Sequence, residues 1–272
     1  MSVSLERRRF KVNNVFAMLP CYNESENIDP LVRKWLDRKA DLSAKGYNLF
    51  VRCIDDKSKD NTKEVIEKLC IEFPEDVKLV AHDVNKGLGG ALATALDQFM
   101  AEGKTGDVCF LMDGDNTHDP VFCLSMLDRI AAGADCVIAS RYRTGSLTHG
   151  VNGIRQFMSW GAKQFYTIVL RVRNVRDYTC GYRAYTYDII RRGVREYGTG
   201  LVEKRSFACM MEVLYKLWMI GARFDEVPFE LHYDIKKGES KMRVLRTMKE
   251  SMGTAVRLRR KLGKRKESFR GE

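Results

Sequence analysis

The chain has 272 residues, 44% hydrophobic and 31% charged, enough for one large α/β domain with a sizeable core. Its net charge of +11 is unevenly placed: residues 234–272 hold 14 Lys+Arg against 5 Asp+Glu, or +9, which leaves +2 for the rest. No apolar run approaches the ~20 residues of a membrane-spanning helix, and eight scattered cysteines without a CxxC pair speak against a disulfide framework or a zinc knuckle and for a reducing, cytoplasmic compartment.

In chain order, an apolar strand over Val12–Leu19 runs into Pro20-Cys21-Tyr22-Asn23-Glu24, where Ser25 or Asn23 can cap a helix reaching about Arg38. A second strand, Asn48–Ile54, ends in Asp55-Asp56-Lys57-Ser58 and leads to a helix over Thr62–Glu72. A third, Val77–Ala81, passes through Asn85-Lys86-Gly87-Leu88-Gly89-Gly90 into a helix over Ala91–Ala101. The fourth, Val108–Met112, ends at Asp113-Gly114-Asp115, with a helix over Pro120–Ala131; the fifth, Cys136–Ala139, ends at Ser140-Arg141-Tyr142. Strand–helix alternation with short connections predicts a mostly parallel sheet flanked by helices. Every polar cluster falls at a strand's carboxyl end, the edge where open α/β sheets bind ligands. The loops predicted on the other edge, Lys39–Gly46 and Phe73–Asp76, carry none.

After Gly150 the pattern changes. The spacing predicts a helix over Ile154–Arg173 with Phe157, Trp160, Phe165 and Tyr166 on it, a strand-like stretch over Asp177–Tyr185, a helix over Phe207–Ile220 and a strand over Arg223–Tyr233. A basic glycine loop, Lys236–Lys241, precedes a helical stretch over Met242–Leu262 with methionines and leucines at helical spacing among Arg and Lys.

The Asp113-Gly114-Asp115 triplet offers two carboxylates to one hard cation, and such ions are held by one or two carboxylates plus substrate phosphates. Gly114 admits a close approach to the backbone. Alone, the triplet is more simply a polar turn. Lys86 with Gly87–Gly90 is likewise more simply a tight turn than a phosphate cradle.

Taken together, PCYNE at 20–24, IDDKSKDNT at 54–62, NKGLGGAL at 85–92, MDGDNTH at 112–118, SRY at 140–142, CGYRAY at 180–185 and GESKM at 238–242 resemble glycosyltransferase family 2, and within it the dolichol- and polyprenyl-phosphate mannose (hexose) synthases. The resemblance runs from about Val12 to Met242. It implies a GT-A-type nucleotide-sugar-binding fold in a single domain over 1–235, with a donor half to about 115 and an acceptor half from 116, followed by a basic loop and tail over 236–272. It also implies inverting, metal-dependent transfer of a hexose from a nucleotide-sugar to a polyprenyl phosphate, mannose from GDP-mannose first and a UDP-sugar such as UDP-glucose as the alternative donor. Its residue roles place Pro20, Tyr22, Glu24, Ile54 and Asp56 at the base and ribose, and Asp113, Gly114 and Asp115 at Mg²⁺ or Mn²⁺ and the diphosphate. Arg141, Arg155 and Ser159 then face the acceptor phosphate, and Lys241 closes over the diphosphate. Thr117 stands where the family often has a Gln ligand, which leaves a water to fill that place. Ile235 stands where an arginine is usual, which leaves Lys236 or Lys237 to supply the charge.

A phosphate acceptor is already an anion and needs no general base, which suits a chain with four His and no Ser-His-Asp grouping. A hydroxyl acceptor would need one, and Asp177 is the candidate, equally readable as a turn residue. Arg155 and Ser159, one helical turn apart, also fit the surface of an amphipathic helix. The basic tail fits best a helix on an anionic membrane surface, making this a peripheral membrane protein on the cytoplasmic side, with a separate membrane-protein partner as a further expectation. Nucleic acid is not the expected partner, because no aromatic interleaving accompanies the charge.

Overall fold

A computed structural model describes residues 12–151, 153–235 and 244–268; the side chains of 154–157, 244–246 and 264–268 lie outside that description. The order is β1 (Asn13–Cys21), α1 (Ile28–Leu36), α2 (Lys39–Ala44), β2 (Tyr47–Asp55), α3 (Thr62–Glu72), β3 (Val77–Ala81), α4 (Gly87–Glu102) and β4 (Val108–Leu111). There follow α5 (Cys123–Ala131), β5 (Cys136–Ser140), β6 (Leu147–His149), α6 (Gly153–Leu170), β7 (Arg183–Thr186), α7 (Tyr187–Tyr197), α8 (Ala208–Met219), β8 (Phe224–Pro228), β9 (Glu230–His232) and α9 (Val244–Ser268).

Seven strands form one sheet in the order β3-β2-β1-β4-β7-β5-β8. All neighbours are parallel except β7, which runs antiparallel between β4 and β5. Central strands such as β1 and β4 are buried on both faces, so their sequences are continuous apolar runs without alternation. The two remaining strands, β6 and β9, pair parallel in a separate small sheet.

The α/β fold matches the reading of the sequence, and several local expectations are corrected. Neither Ser25 nor Asn23 caps α1: Asn27 is the N-cap residue, and its side chain does not cap the helix, while Ser25 and Asn23 bond the 58–60 loop instead. Residues 39–44 form the short helix α2 with Leu42 buried, not a loop. The helix α7 was not expected, although Thr186 at its N-cap accepts from the Ile189 N–H and Ile189, Ile190 and Gly193 are buried. Residues 223–233 are two strands in different sheets, β8 and β9. The strand β4 stops at Leu111, so Asp113-Gly114-Asp115 lies in the turn beyond it and the side-chain alternation of a strand does not apply there.

Helix α9 packs on α6 and α8 and buries Ala255, Leu258 and Leu262. Of the apolar positions expected to meet lipid, Ala255 and Leu262 are thus covered by the protein's own core, Met248 and Met252 are partly buried, and Met242 and the side chain of Leu245 lie outside the described residues. A surface would meet the remaining faces of α9. Among the described residues, no helix is long and apolar enough to cross a membrane.

Candidate active site

The carboxyl ends of β1, β2 and β4 are sewn together by their loops. The Asn23 N–H donates to Ser58 Oγ at 2.9 Å, the Lys59 N–H to Asn23 Oδ1 at 2.7 Å, and the Glu24 N–H to Thr62 Oγ1 at 2.8 Å. Asn23 takes a positive φ of 55°, a conformation Asn tolerates better than most residues. Tyr22 and Glu24 remain partly exposed at this edge, and Glu24 Oε2 accepts from Asn27 Nδ2 at 2.8 Å. Pro20 is buried, with its carbonyl accepting from the Gly114 N–H at 3.1 Å.

Ile54 and Asp56 are placed differently from the sequence reading. Ile54 is fully buried within β2, so its side chain belongs to the core and is closed to a nucleotide. Asp56 is also buried: its Oδ1 accepts from the Lys86 N–H at 2.8 Å and lies 2.7 Å from His82 Nδ1, while its Oδ2 accepts from the Gly87 N–H at 2.8 Å. Its carboxylate therefore holds the 85–87 loop in place. That loop does not cradle a phosphate from its glycine side. A Cβ on Gly87 would lie 2.7 Å from the Arg205 carbonyl oxygen, and one on Gly89 1.7 Å from that of Lys204. These glycines exist because the 204–205 backbone runs against them, and the Gly89 N–H donates to the Arg205 carbonyl at 3.0 Å.

Gly114 has a similar explanation. A Cβ there would lie 2.8 Å from Cys21 Sγ and 2.9 Å from the Pro20 carbonyl oxygen, so the close approach it permits is to the end of β1. Gly181 does the same for Asp113, whose Oδ2 would lie 2.7 Å from an added Cβ. Thr117, absent from the sequence reading as a working residue, donates its hydroxyl to Asp115 Oδ1 at 2.7 Å and its N–H to the same oxygen at 3.2 Å. Its signal in the sequence was the Asp-x-Thr spacing, a side-chain-to-backbone turn. Two partly exposed carboxylates, one oriented by Thr117 and one in a notch kept open by Gly181, form an all-oxygen donor set that fits a hard divalent cation.

Beyond Asp113 opens a cavity of about 510 Å³. Asp113, Arg141, Thr179 and Ser159 supply polar groups to it, and Leu147, Val151, Met158, Ala162, Tyr166 and Leu231 much of its apolar lining. Arg141 is gripped by Asp177: Nε donates to Oδ2 at 2.8 Å, Nη2 to Oδ1 at 2.7 Å, and the Arg141 N–H to Oδ2 at 3.1 Å. Nη2 also donates to Thr179 Oγ1 at 2.6 Å. Nη1 takes part in none of these bonds. Burial opposes charge on both partners, but their mutual attraction and hydrogen bonds together outweigh it, holding Arg141 above and Asp177 below their ordinary ranges. Tyr142 ties the SRY segment to α6 by donating to the Ser159 carbonyl at 2.9 Å; burial pushes its phenol up to about 12, so it keeps the proton it donates.

These facts remove two chemistries. Asp177 is wholly buried, ionised and fully engaged, which corrects its reading as a general base. Burial also pushes the Cys180 thiol beside the cavity up to about 12, which leaves no thiolate nucleophile there. Of the expected acceptor residues, Arg141 and Ser159 meet in one cavity with Asp113. The side chain of Arg155 and the whole of Lys236, Lys237 and Lys241 lie outside the described residues.

A sequence model of Glycosyl transferase family 2 matches residues 17–194. The chain is 29% identical over 231 residues to the dolichol-phosphate mannosyltransferase of Pyrococcus furiosus, an alignment covering 84% of this chain but 59% of that protein. It is 30% identical over 228 residues to the undecaprenyl-phosphate mannosyltransferase of Micrococcus luteus, covering 84% and 87%. Among solved structures, the glucosyl-3-phosphoglycerate synthase of Mycobacterium tuberculosis, in complex with Mn²⁺, UDP and phosphoglyceric acid, shares the fold with a TM-score of 0.63. Its identity is 14%, over 90% of this chain and 78% of that one.

Proposed function

Because this chain belongs to glycosyltransferase family 2 and is a glycosyltransferase, we propose that it transfers a hexose, mannose from GDP-mannose first, from a nucleotide-sugar to a polyprenyl phosphate. The observation that carries this reading is the cavity itself: Asp113 and Arg141 share a space of about 510 Å³ with a largely apolar lining. That is the shape a phosphate on a long apolar chain requires. The named activities of the mannosyltransferase relatives agree with it.

In this reaction Pro20, Tyr22 and Glu24 border the nucleotide, and Asp113 and Asp115 are the residues that would hold Mg²⁺ or Mn²⁺. When bound there, such an ion would neutralise charge on the leaving diphosphate. Thr117 keeps Asp115 turned toward that task through its 2.7 Å hydrogen bond. Arg141, its Nε and Nη2 occupied by Asp177, is oriented to offer Nη1 to the acceptor phosphate, with Ser159 on the facing helix. The phosphate oxygen attacks the anomeric carbon from the face opposite the leaving diphosphate, forming the new C–O bond as the old one breaks, with inversion. No proton needs to be removed, which agrees with an Asp177 that cannot accept one. Work at the cytoplasmic membrane face is part of this proposal, as is closure of Lys241 over the diphosphate.

The test is transfer of radiolabel from GDP-mannose, UDP-glucose and UDP-N-acetylglucosamine into solvent-extractable polyprenyl phosphate, with Mn²⁺ or EDTA. An EDTA-sensitive lipid product from GDP-mannose is expected. A product from UDP-glucose alone would reassign the donor. Donor hydrolysis with no labelled lipid would overturn the acceptor.

A further inference from the structure

The chain has four histidines, and two of them meet far along the sequence from the Asp113/Asp115 pair. Parallel pairing of β6 with β9 sets His149 opposite His232, with their rings stacked at 4.6 Å and 8°. Glu230 lies two residues before His232 on the same strand, hence on the same face. Its Oε2 is 3.5 Å from His232 Nε2 and 4.0 Å from His149 Nε2. Ligand atoms about 2.0–2.1 Å from a tetrahedral ion sit roughly 3.3 Å apart, and an imidazole binds an ion in its own ring plane, so loading turns the two stacked rings toward each other and toward Glu230.

Three further observations point to a ligand. The His149 Nε2 atom is buried and has no hydrogen-bond partner, an uncompensated polar atom of the kind a metal would satisfy. On the other side of the His232 ring, Asp234 Oδ1 lies 3.4 Å from Nδ1. A carboxylate behind a histidine fixes the proton on Nδ1 and leaves Nε2 to ligate, the usual support of a metal-bound imidazole. The other two histidines are committed elsewhere: His82 to Asp56 and Thr94, and His118 within 3.2 Å of the Thr117 hydroxyl and stacked on Phe229.

We propose that His149, Glu230 and His232 form a second metal site, for a borderline divalent ion such as Zn²⁺, distinct in ligand chemistry from the all-carboxylate pair. Two imidazoles and a carboxylate select Zn²⁺ over Mg²⁺, whereas Asp113 and Asp115 suit the harder ion. The fourth position is left to water. Its place in the fold assigns it a bracing role. A two-stranded pair is marginal on its own, yet β6 and β9 contribute Leu147, Thr148 and Leu231 to the cavity wall. The His232 N–H also donates to the Thr117 carbonyl at 3.0 Å, linking the site to the residue that holds Asp115. A bound ion would staple this wall.

The test uses tag-free full-length protein, stripped with chelator and titrated with Co²⁺ in excess Mg²⁺. One equivalent of the intense visible absorption of tetrahedral Co²⁺ is expected, displaced by Zn²⁺, kept in Asp115→Asn, lost in His149→Ala and His232→Ala, and weakened about tenfold in affinity by Asp234→Asn. Far-UV circular dichroism confirms that the variants fold. In the wild-type protein, Zn²⁺ should shift the imidazole nitrogens of two histidines in long-range ¹H–¹⁵N spectra and leave the other two in place. Absence of the tetrahedral band, its survival in both histidine variants, or its loss in Asp115→Asn overturns the proposal, as does a Zn²⁺ titration that moves no histidine.

Discussion

Replacing Asp177 with Asn tests how the site is held together. The carboxylate accepts three bonds from Arg141 and further ones from the Thr179 and Cys180 N–H groups, all in a wholly buried position. An amide there is neutral and turns an NH₂ toward one group of donors. Removing one partner of a buried ion pair costs about 3–5 kcal/mol. The Arg141 side chain is 22% exposed, and water recovers part of that charge, so the lower end, about 3 kcal/mol, is expected. At about 2–4 °C per kcal/mol for a chain near this size, Tm should fall by about 6–12 °C. The pH dependence gives a second reading. Asp177 is depressed in the folded protein, so its contribution is full above the unfolded carboxylate pKa of about 3.9. It shrinks as pH falls below that value and is lost through the lower folded pKa, because the unfolded chain takes up the proton first. Urea unfolding of both proteins between pH 7 and pH 3 should show a gap constant at the upper end and closing at the lower. An Asp177→Asn variant as stable as the wild type at pH 7, or a gap unchanged down to pH 3, would refute this account of the pair.

Thr117→Val, which keeps the shape and removes the hydroxyl, should raise the metal concentration for half-maximal activity by about tenfold, with near-normal turnover at saturating metal; unchanged metal dependence would show that the bond to Asp115 is idle. Gly89→Ala drives a Cβ into the Lys204 carbonyl and should cost about 1–3 kcal/mol in chemical denaturation. Met158→Trp narrows the cavity and should raise KM for the lipid acceptor about tenfold while leaving donor hydrolysis intact. An equal loss of both would mean that the cavity does not receive the acceptor.

The strands of the first half are legible because each is a short apolar run closed by turn residues, and in β1, β4 and β5 burial on both faces leaves no alternation to misread. Helix α7 was overlooked because charge dominates its sequence, although Ile189, Ile190 and Gly193 mark one face and Gly198, at φ 55°, ends it. In the site, the motifs mark the residues at the strand ends and leave unseen what holds each of them in place. Asp56 and Gly114 lie in family motifs, yet what fixes them is a partner remote in sequence: the 86–87 backbone for one and the end of β1 for the other. Pattern shows which residue types cluster. It does not show that both oxygens of a carboxylate are already taken. Arg141 and Ser159 illustrate the opposite case, two positions whose convergence on one cavity follows from the crossing of β5 and α6 over a common space.

The antiparallel strand β7 has a consequence for how the chain reaches this structure. It is the only described strand that touches both β4 and β5, and it is made after both. Until Arg183–Thr186 leaves the ribosome, β4 and β5 each expose a row of unmatched backbone groups, the template on which other chains add strands. A fragment ending within α6 would keep the entire Asp-Gly-Asp motif and still leave one side of β4 and both sides of β5 bare, because β8 also follows. Joining β4 to β5 falls to one four-residue segment, so Asp113 and Asp115 sit on a completed sheet only when synthesis has passed well beyond them.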